Sequence, residues 1–166
     1  MTKEITQDRL RESLKQQSLY MWFMRVQVIR TEVPGDFMIS TTKVNIGPEN
    51  KYDGTRVDTP ITAFIECKQV TLEHQCKLNY KRLTQMQSLL SFANKAQHHR
   101  SYFLINFWNG RADSSNAFLI PARQLYDYVE VHKFEKLFVT ESEMLAAFPQ
   151  YLLKLNGKYW DIHGAL

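Results

Sequence analysis

Residues 62–71 read "TAFIECKQVT" (Thr62–Thr71), an apolar run that carries an acid and a base two residues apart before it turns polar. The run is rich in β-formers, and "ITAFIECKQV" (61–70) reads as a strong strand. Side chains alternate faces along a strand, so Glu66 and Lys68 share a face, about 7 Å apart at a rise of about 3.3 Å per residue. Phe64 and Thr62 precede them on that face, while Ala63, Ile65, Cys67 and Val70 are assigned to the other. The bland reading is a cross-strand ion pair at a sheet edge, because Glu-x-Lys is common by chance. The sharper reading is a hard-metal site, with the carboxylate as an oxygen ligand and the lysine beside a water or a phosphate charge.

The neighbouring segments supply a frame for that strand. "KEITQDRLRESLKQQS" (3–18) reads as a helix with an apolar stripe of Ile5 or Thr6, Leu10 and Leu14. A strand is expected from Met21 to Glu32, broken by Pro34-Gly35, and a second over "DFMIST" (36–41). Residues 43–60 carry Gly-Pro, Asp-Gly and Thr-Pro turn signals and read mostly as loop. "TLEHQCKLNY" (71–80) reads as polar and irregular, and "KRLTQMQSLLSFANKAQ" (81–97) is the clearest amphipathic helix. "SYFLINFW" (101–108) has the near-continuous apolar pattern of a central strand, and "AFLIPA" (117–122) is a further strand. A short helix over "RQLYDYVE" follows, then a helix over 140–155 broken by Pro149, with Thr140 and Glu143 spaced for a capping box. The expected order is α-β-β-β-α-β-β-α, an α/β domain with a mixed sheet flanked by helices.

Composition bounds the function classes. The 166 residues, 44% hydrophobic and 23% charged, suit one globular domain. No run of about 18 apolar residues marks a membrane span, and the polar N-terminal segment lacks the pattern of a secretory signal. Two cysteines make no disulfide framework, so a reducing, cytoplasmic setting is expected. A net charge of +4 permits a nucleic-acid partner without demanding one.

Together, "PGDFMIS", "FIECKQ", a helix opening "RLTQMQSLLSF", and "YFLINF" resemble the restriction-endonuclease-like nuclease core, whose motif is an acid on one strand and Glu-x-Lys on the next. Within that superfamily the chain looks most like Holliday junction resolvases of the Hjc and RecU types. The archaeal Hjc type shares the helix acid, the Pro-Asp-like strand start and the "IECK" string; the bacterial RecU type shares the polar segment after Glu-x-Lys and a helix carrying a glutamine. The likeness spans about residues 8–125, leaving a C-terminal helical extension over about 126–166 of one nuclease domain. It implies a homodimeric, Mg²⁺-dependent endonuclease for four-way or other branched DNA, with Mn²⁺ able to substitute, in the cytoplasm of a bacterial, archaeal or phage-infected cell. Carried onto this sequence, it makes Glu66 a metal ligand, together with the backbone carbonyl of Cys67, and Lys68 the catalytic lysine. Gln85 becomes the helix glutamine, with Gln87 in competition, and Glu12 the N-terminal helix acid. The remaining metal acid is Asp36, at the mouth of an apolar strand, with Asp53 and Asp58 as alternatives. Gly35 between Pro34 and Asp36 departs from the family's Pro-Asp pattern. A restriction- or repair-type nuclease, or a non-catalytic DNA-binding relative, are the competing expectations.

Other features weigh less. Cys67, His74, Cys76, His98 and His99 have poor zinc spacing. Lys77, Lys81 and Arg82, beside the expected site, are candidate phosphate contacts. The cluster Lys95, His98, His99 and Arg100 could also contact phosphates or be a solvated helix end. Lys3, Arg9, Arg11 and Lys15 are offset by neighbouring acids, and Trp22, Trp108 and Trp160 are expected in the core or an interface.

Overall fold

A computed structural model of the chain describes residues 2–17, 21–26, 35–43, 59–71, 74–111 and 114–166. Its axis is β3 (Thr59–Val70), the strand that carries the quoted stretch. β3 pairs antiparallel with β2 (Phe37–Lys43) and parallel with β5 (His99–Phe107). β1 (Met21–Arg25) lies outside β2 and β6 (Asn116–Pro121) outside β5, both antiparallel, which gives the order β1-β2-β3-β5-β6. Every residue of β5 from Ser101 to Phe107 is buried, as its near-continuous apolar run requires of a strand covered on both faces. The chain is thus a single α/β domain on a mixed sheet.

Each face of the sheet has its own core. On the rear face, Ile61, Ala63, Ile65 and Cys67 join Phe37, Ile39, Tyr102 and Leu104. They are covered by Leu10 and Leu14 of α1 (Thr2–Gln16). On the front face, Val70, Phe103, Ile105 and Phe107 pack under Met86, Leu89 and Leu90 of α2 (Met86–Asn94) and Leu125 of α3 (Ala122–His132). Val70 therefore lies on the Glu66 face, as strict alternation requires, and Gln69 takes the rear position. That glutamine accepts hydrogen bonds from the Thr6 amide (3.1 Å) and hydroxyl (2.7 Å), and Asn106 donates to the same hydroxyl at 3.1 Å. A buried polar knot thus docks the start of α1 on the sheet. It selects Thr6 for the buried stripe and leaves Ile5 41% exposed.

Several expectations change. Of the strand expected over 21–32, the described part is strand only to Arg25; residues 27–34 and most of the 43–60 loop lie outside the described residues. The segment read as irregular contains β4 (Lys77–Asn79), paired with β7 (Phe138–Thr140) so that Leu78 faces Val139, both fully buried. The helix expected from residue 81 begins at Met86; Tyr80–Arg82 form one 3₁₀ turn before it. The capping box forms: the Thr140 hydroxyl accepts from the Glu143 amide at 3.3 Å, and Glu143 accepts from the Thr140 amide at 2.9 Å, opening α4 (Glu141–Ala147). A 3₁₀ turn follows at Pro149, and then a hairpin of β8 (Leu155–Asn156) and β9 (Tyr159–Trp160) leads into α5 (Ile162–Ala165). The C-terminal part is therefore not a helical appendage, because Trp160 and Ile162 are part of the rear core. Among the described residues, no helix is long and apolar enough to cross a membrane.

Trp160→Ala is expected to lower stability by about 3–5 kcal/mol through the cavity it leaves. Val131→Ala, at a 70% exposed position, should change it by less than about 0.5 kcal/mol. Urea midpoints of the two variants check this; a near-neutral Trp160→Ala would mean the C-terminal hairpin is not part of the core.

Candidate active site

The sheet has a step in it. β2 last pairs with β3 at Phe37↔Ile65, while β3 runs on beside β5 as far as Val70. Beyond the end of β2, the ladder is continued by a side chain: Asp36 Oδ2 accepts the Cys67 N–H at 2.8 Å. One step beyond Phe37↔Ile65, Asp36 falls opposite Glu66, where facing Cβ atoms of antiparallel strands lie about 4.5–5.5 Å apart. The two carboxylates are 5% and 1% exposed.

Gly35 makes this approach possible. A Cβ on Gly35 would sit 2.9 Å from the Ile65 carbonyl oxygen and 3.2 Å from the Glu66 nitrogen. The residue that interrupts the family's Pro-Asp pattern is the one whose missing side chain lets the backbone before Asp36 reach β3.

Lys68 completes the constellation. Its Nζ donates to Glu66 Oε1 at 2.7 Å and to Gln85 Oε1 at 3.2 Å, and the lysine is 8% exposed. Gln85 caps the start of α2 rather than lying within it, and Thr84 also donates to its Oε1 at 2.7 Å. Gln87 is exposed. The four side chains come from three segments: the approach to β2, the middle of β3, and the turn that enters α2.

The donor set suits a hard cation. A residue in a strand turns its N–H and C=O to the same edge, so the Cys67 carbonyl points to the edge where its N–H meets Asp36. Two carboxylates and a carbonyl at one sheet edge are oxygen ligands, the type that Mg²⁺ and Mn²⁺ favour. Among the described residues, no group of three or more His, Cys, Asp or Glu gathers as a metal cage. One or two carboxylates with substrate phosphate is the usual protein share of a Mg²⁺ site.

The remaining candidates separate. Asp53 and Asp58 lie outside the described residues. Glu12 sits on α1, behind the sheet; Lys15 donates to it at 2.9 Å and Arg11 lies 3.6 Å away, so the structure does not bring it to Glu66. The Lys15 hydrogen bond holds the Glu12 carboxyl below its usual range. Arg100 donates to the Gln97 and His99 carbonyls at the far end of β5. Lys81 is exposed, and Arg82 donates to the Gln69 carbonyl at 2.7 Å, beside the site strand. Cys67 is buried, Cys76 exposed, and His99 stacks on Phe92 at 4.2 Å, so the thiols and imidazoles do not converge. Trp160 is core, but Trp22 is 56% exposed and Met24 42%. The register Trp22↔Ser40↔Thr62 and Met24↔Met38↔Phe64 puts both on the Glu66 face. The front of β1 and β2 is thus open to solvent beside the carboxylates, a feature that the aromatic content of "MWFM" does not reveal.

Compared with known proteins, the sequence matches no family model and no curated protein.

Removing one partner of a buried ion pair strands the other charge, so Lys68→Met should destabilise the fold by about 3–5 kcal/mol, with much of the loss recovered in Glu66→Gln/Lys68→Met. Gly35→Ala should cost about 1–3 kcal/mol by overpacking against Ile65. Thermal and urea denaturation of these three variants and of the single Glu66→Gln reads both effects; additive single-site losses in the double variant would count against a coupled pair.

Proposed function

We propose that the protein is a divalent-metal-dependent endodeoxyribonuclease acting on branched DNA, of the junction-resolvase kind. The observation that carries this reading is the placing of two buried carboxylates, Asp36 and Glu66, and the Lys68 ammonium just beyond the last β2–β3 pair. A purely structural ion pair needs one carboxylate. A second one, on a neighbouring strand and reached through a glycine, is what an Asp…Glu-x-Lys nuclease requires. The exposed front of β1 and β2 gives a strand of DNA room to approach.

In this reading Asp36, Glu66 and the Cys67 carbonyl hold Mg²⁺. When bound, the cation supplies charge to the scissile phosphate and acidity to a coordinated water. Lys68, fixed between Glu66 and Gln85, orients the attacking water and donates to the phosphate oxygens on which charge builds. Gln85 keeps the lysine from swinging out of line. Water oxygen bonds to phosphorus, the P–O3′ bond breaks, and the O3′ takes a proton, leaving a 5′ phosphate and a 3′ hydroxyl. Two copies of the chain, acting as a homodimer in the cytoplasm, would cut two strands symmetrically.

Purified protein with Mg²⁺ should nick a four-way junction in symmetric pairs and leave linear duplex largely intact. Equal cutting of linear duplex would instead indicate a restriction- or repair-type enzyme. Lys68→Ala should lose about 10²–10⁴-fold in cleavage rate while still binding the junction. Wild-type cutting by that variant, or tight binding with no cutting by the native chain in Mg²⁺ or Mn²⁺, would overturn the reading.

A further inference from the structure

A second built site lies on the other side of the turn that delivers Gln85. His74, Gln75, Lys77, Asn79, Arg82 and Phe138 line a cavity of about 320 Å³. Among the described residues, none of the lining side chains is acidic, while Lys77 and Arg82 carry fixed positive charge. Lys77 Nζ lies 4.6 Å from the centre of the Phe138 ring, which holds the ammonium at the wall. The nearby Lys136 is spent on Glu143.

Arg82 uses Nη2 on the Gln69 carbonyl at 2.7 Å, and its Nη1 is buried without a hydrogen-bond partner. Burial also pulls the Arg82 pKa below its usual value, a sign of a cation short of solvent. Asn79 spends its carbonyl oxygen on the Lys81 amide at 2.9 Å, which leaves the amide NH₂ as its second function. The Thr71 N–H can only donate, so His74 Nδ1 accepts from it at 3.2 Å and a neutral ring carries its proton on Nε2. Gln75 (φ 52°) and Cys76 (φ 54°) are two consecutive left-handed residues, and the Cys76 amide returns to the Thr71 carbonyl at 3.1 Å. The result is a preshaped, donor-lined, cationic cavity.

We propose that this cavity binds a phosphate group of the nucleic-acid strand that runs past Lys68, a position separate from the scissile phosphate. The anion class rests on the cavity alone; its origin in a DNA backbone rests on the function proposed above. Thr71, whose amide donates to the lining His74, is three residues beyond Lys68, about 10 Å of extended chain. With about 3.4 Å of axial rise as the smallest advance per nucleotide, the bound phosphate is within about three nucleotides of the cut. Because Arg82 and Gln85 belong to one short segment, seating that phosphate also fixes the residue that holds Lys68.

The test is binding, read without divalent metal so that cleavage plays no part. Anisotropy of a labelled four-way junction is measured across a range of KCl for the native chain, Lys77→Gln and Arg82→Gln, each first checked for a native melting transition. Each variant should weaken binding about five- to tenfold near 0.1 M salt and lower the slope of log Kd against log salt by about 0.9, the signature of one lost phosphate contact. Among neutral methylphosphonates placed one at a time within about three nucleotides of the cleavage point, one should cost the native chain the same factor and Lys77→Gln nothing. Native affinity and slope in folded Lys77→Gln and Arg82→Gln would overturn the proposal. Thermal stabilisation of the native chain by inorganic phosphate, lost in Lys77→Gln while junction binding is unchanged, would assign the cavity to a free phosphate and overturn the backbone assignment. Failure of the nuclease reading shows instead in unimpaired cutting by Lys68→Ala, which these binding curves do not touch.

Discussion

The hydrogen bond from the Cys67 amide to Asp36 holds the candidate site together. It joins two strands at the point where their ladder stops, and it does so with a side chain instead of a backbone carbonyl. A carboxylate accepting a backbone N–H needs no rotamer freedom and is strengthened by its burial. It therefore works as a strut: β2 can end and β3 can continue while the two stay joined where their ladder stops. Gly35 is the condition for the strut, because any Cβ there collides with the backbone it must approach.

Glu66 and Lys68 are costly neighbours for a small protein. Desolvating a carboxylate and an ammonium offsets much of their attraction, and an apolar pair of similar volume would often be at least as stable. The same front face offers apolar company in Phe64 and Val70. Keeping two carboxylates and an ammonium there costs stability that an apolar set would not, a local conflict of the kind that marks candidate sites.

Alternation made Glu66, Lys68 and Phe64 legible from sequence, because a strand's period is fixed by backbone geometry rather than by context. Val70 obeys the same period and lies on the Glu66 face, not on the opposite one expected for it. Asp36 was legible as the acid at a strand mouth, but its bond to Cys67 was not, since it depends on where β2 stops. β4 and β7 were illegible for a related reason: three-residue strands have too little pattern of their own and exist through Leu78 and Val139 meeting across about sixty positions of chain. The helix read from residue 81 began late because Tyr80–Arg82 and Leu83 turn to serve β4 and the front core before α2 starts. Glu12 had the right residue type on the right element, but periodicity cannot say which layer of the sheet a helix covers. The burial of Thr6 over Ile5 was decided by the waiting amide of Gln69, a partner 63 residues away.

The parallel pairing of β3 with β5 has a consequence for how the molecule comes into being. Parallel neighbours cannot be closed by a tight turn; the chain must first complete a crossover, here the stretch from Thr71 to His98. That crossover carries Lys77, Arg82 and Gln85. The loop entropy of ordering it falls due before the β3–β5 ladder repays it. The central ladder and the second half of the site thus become ordered in one kinetic event. A nascent chain would have Asp36, Glu66 and Lys68 synthesised early, yet remain without the arrangement until β5 has emerged to dock. Topology alone thus withholds this arrangement of side chains from incomplete chains.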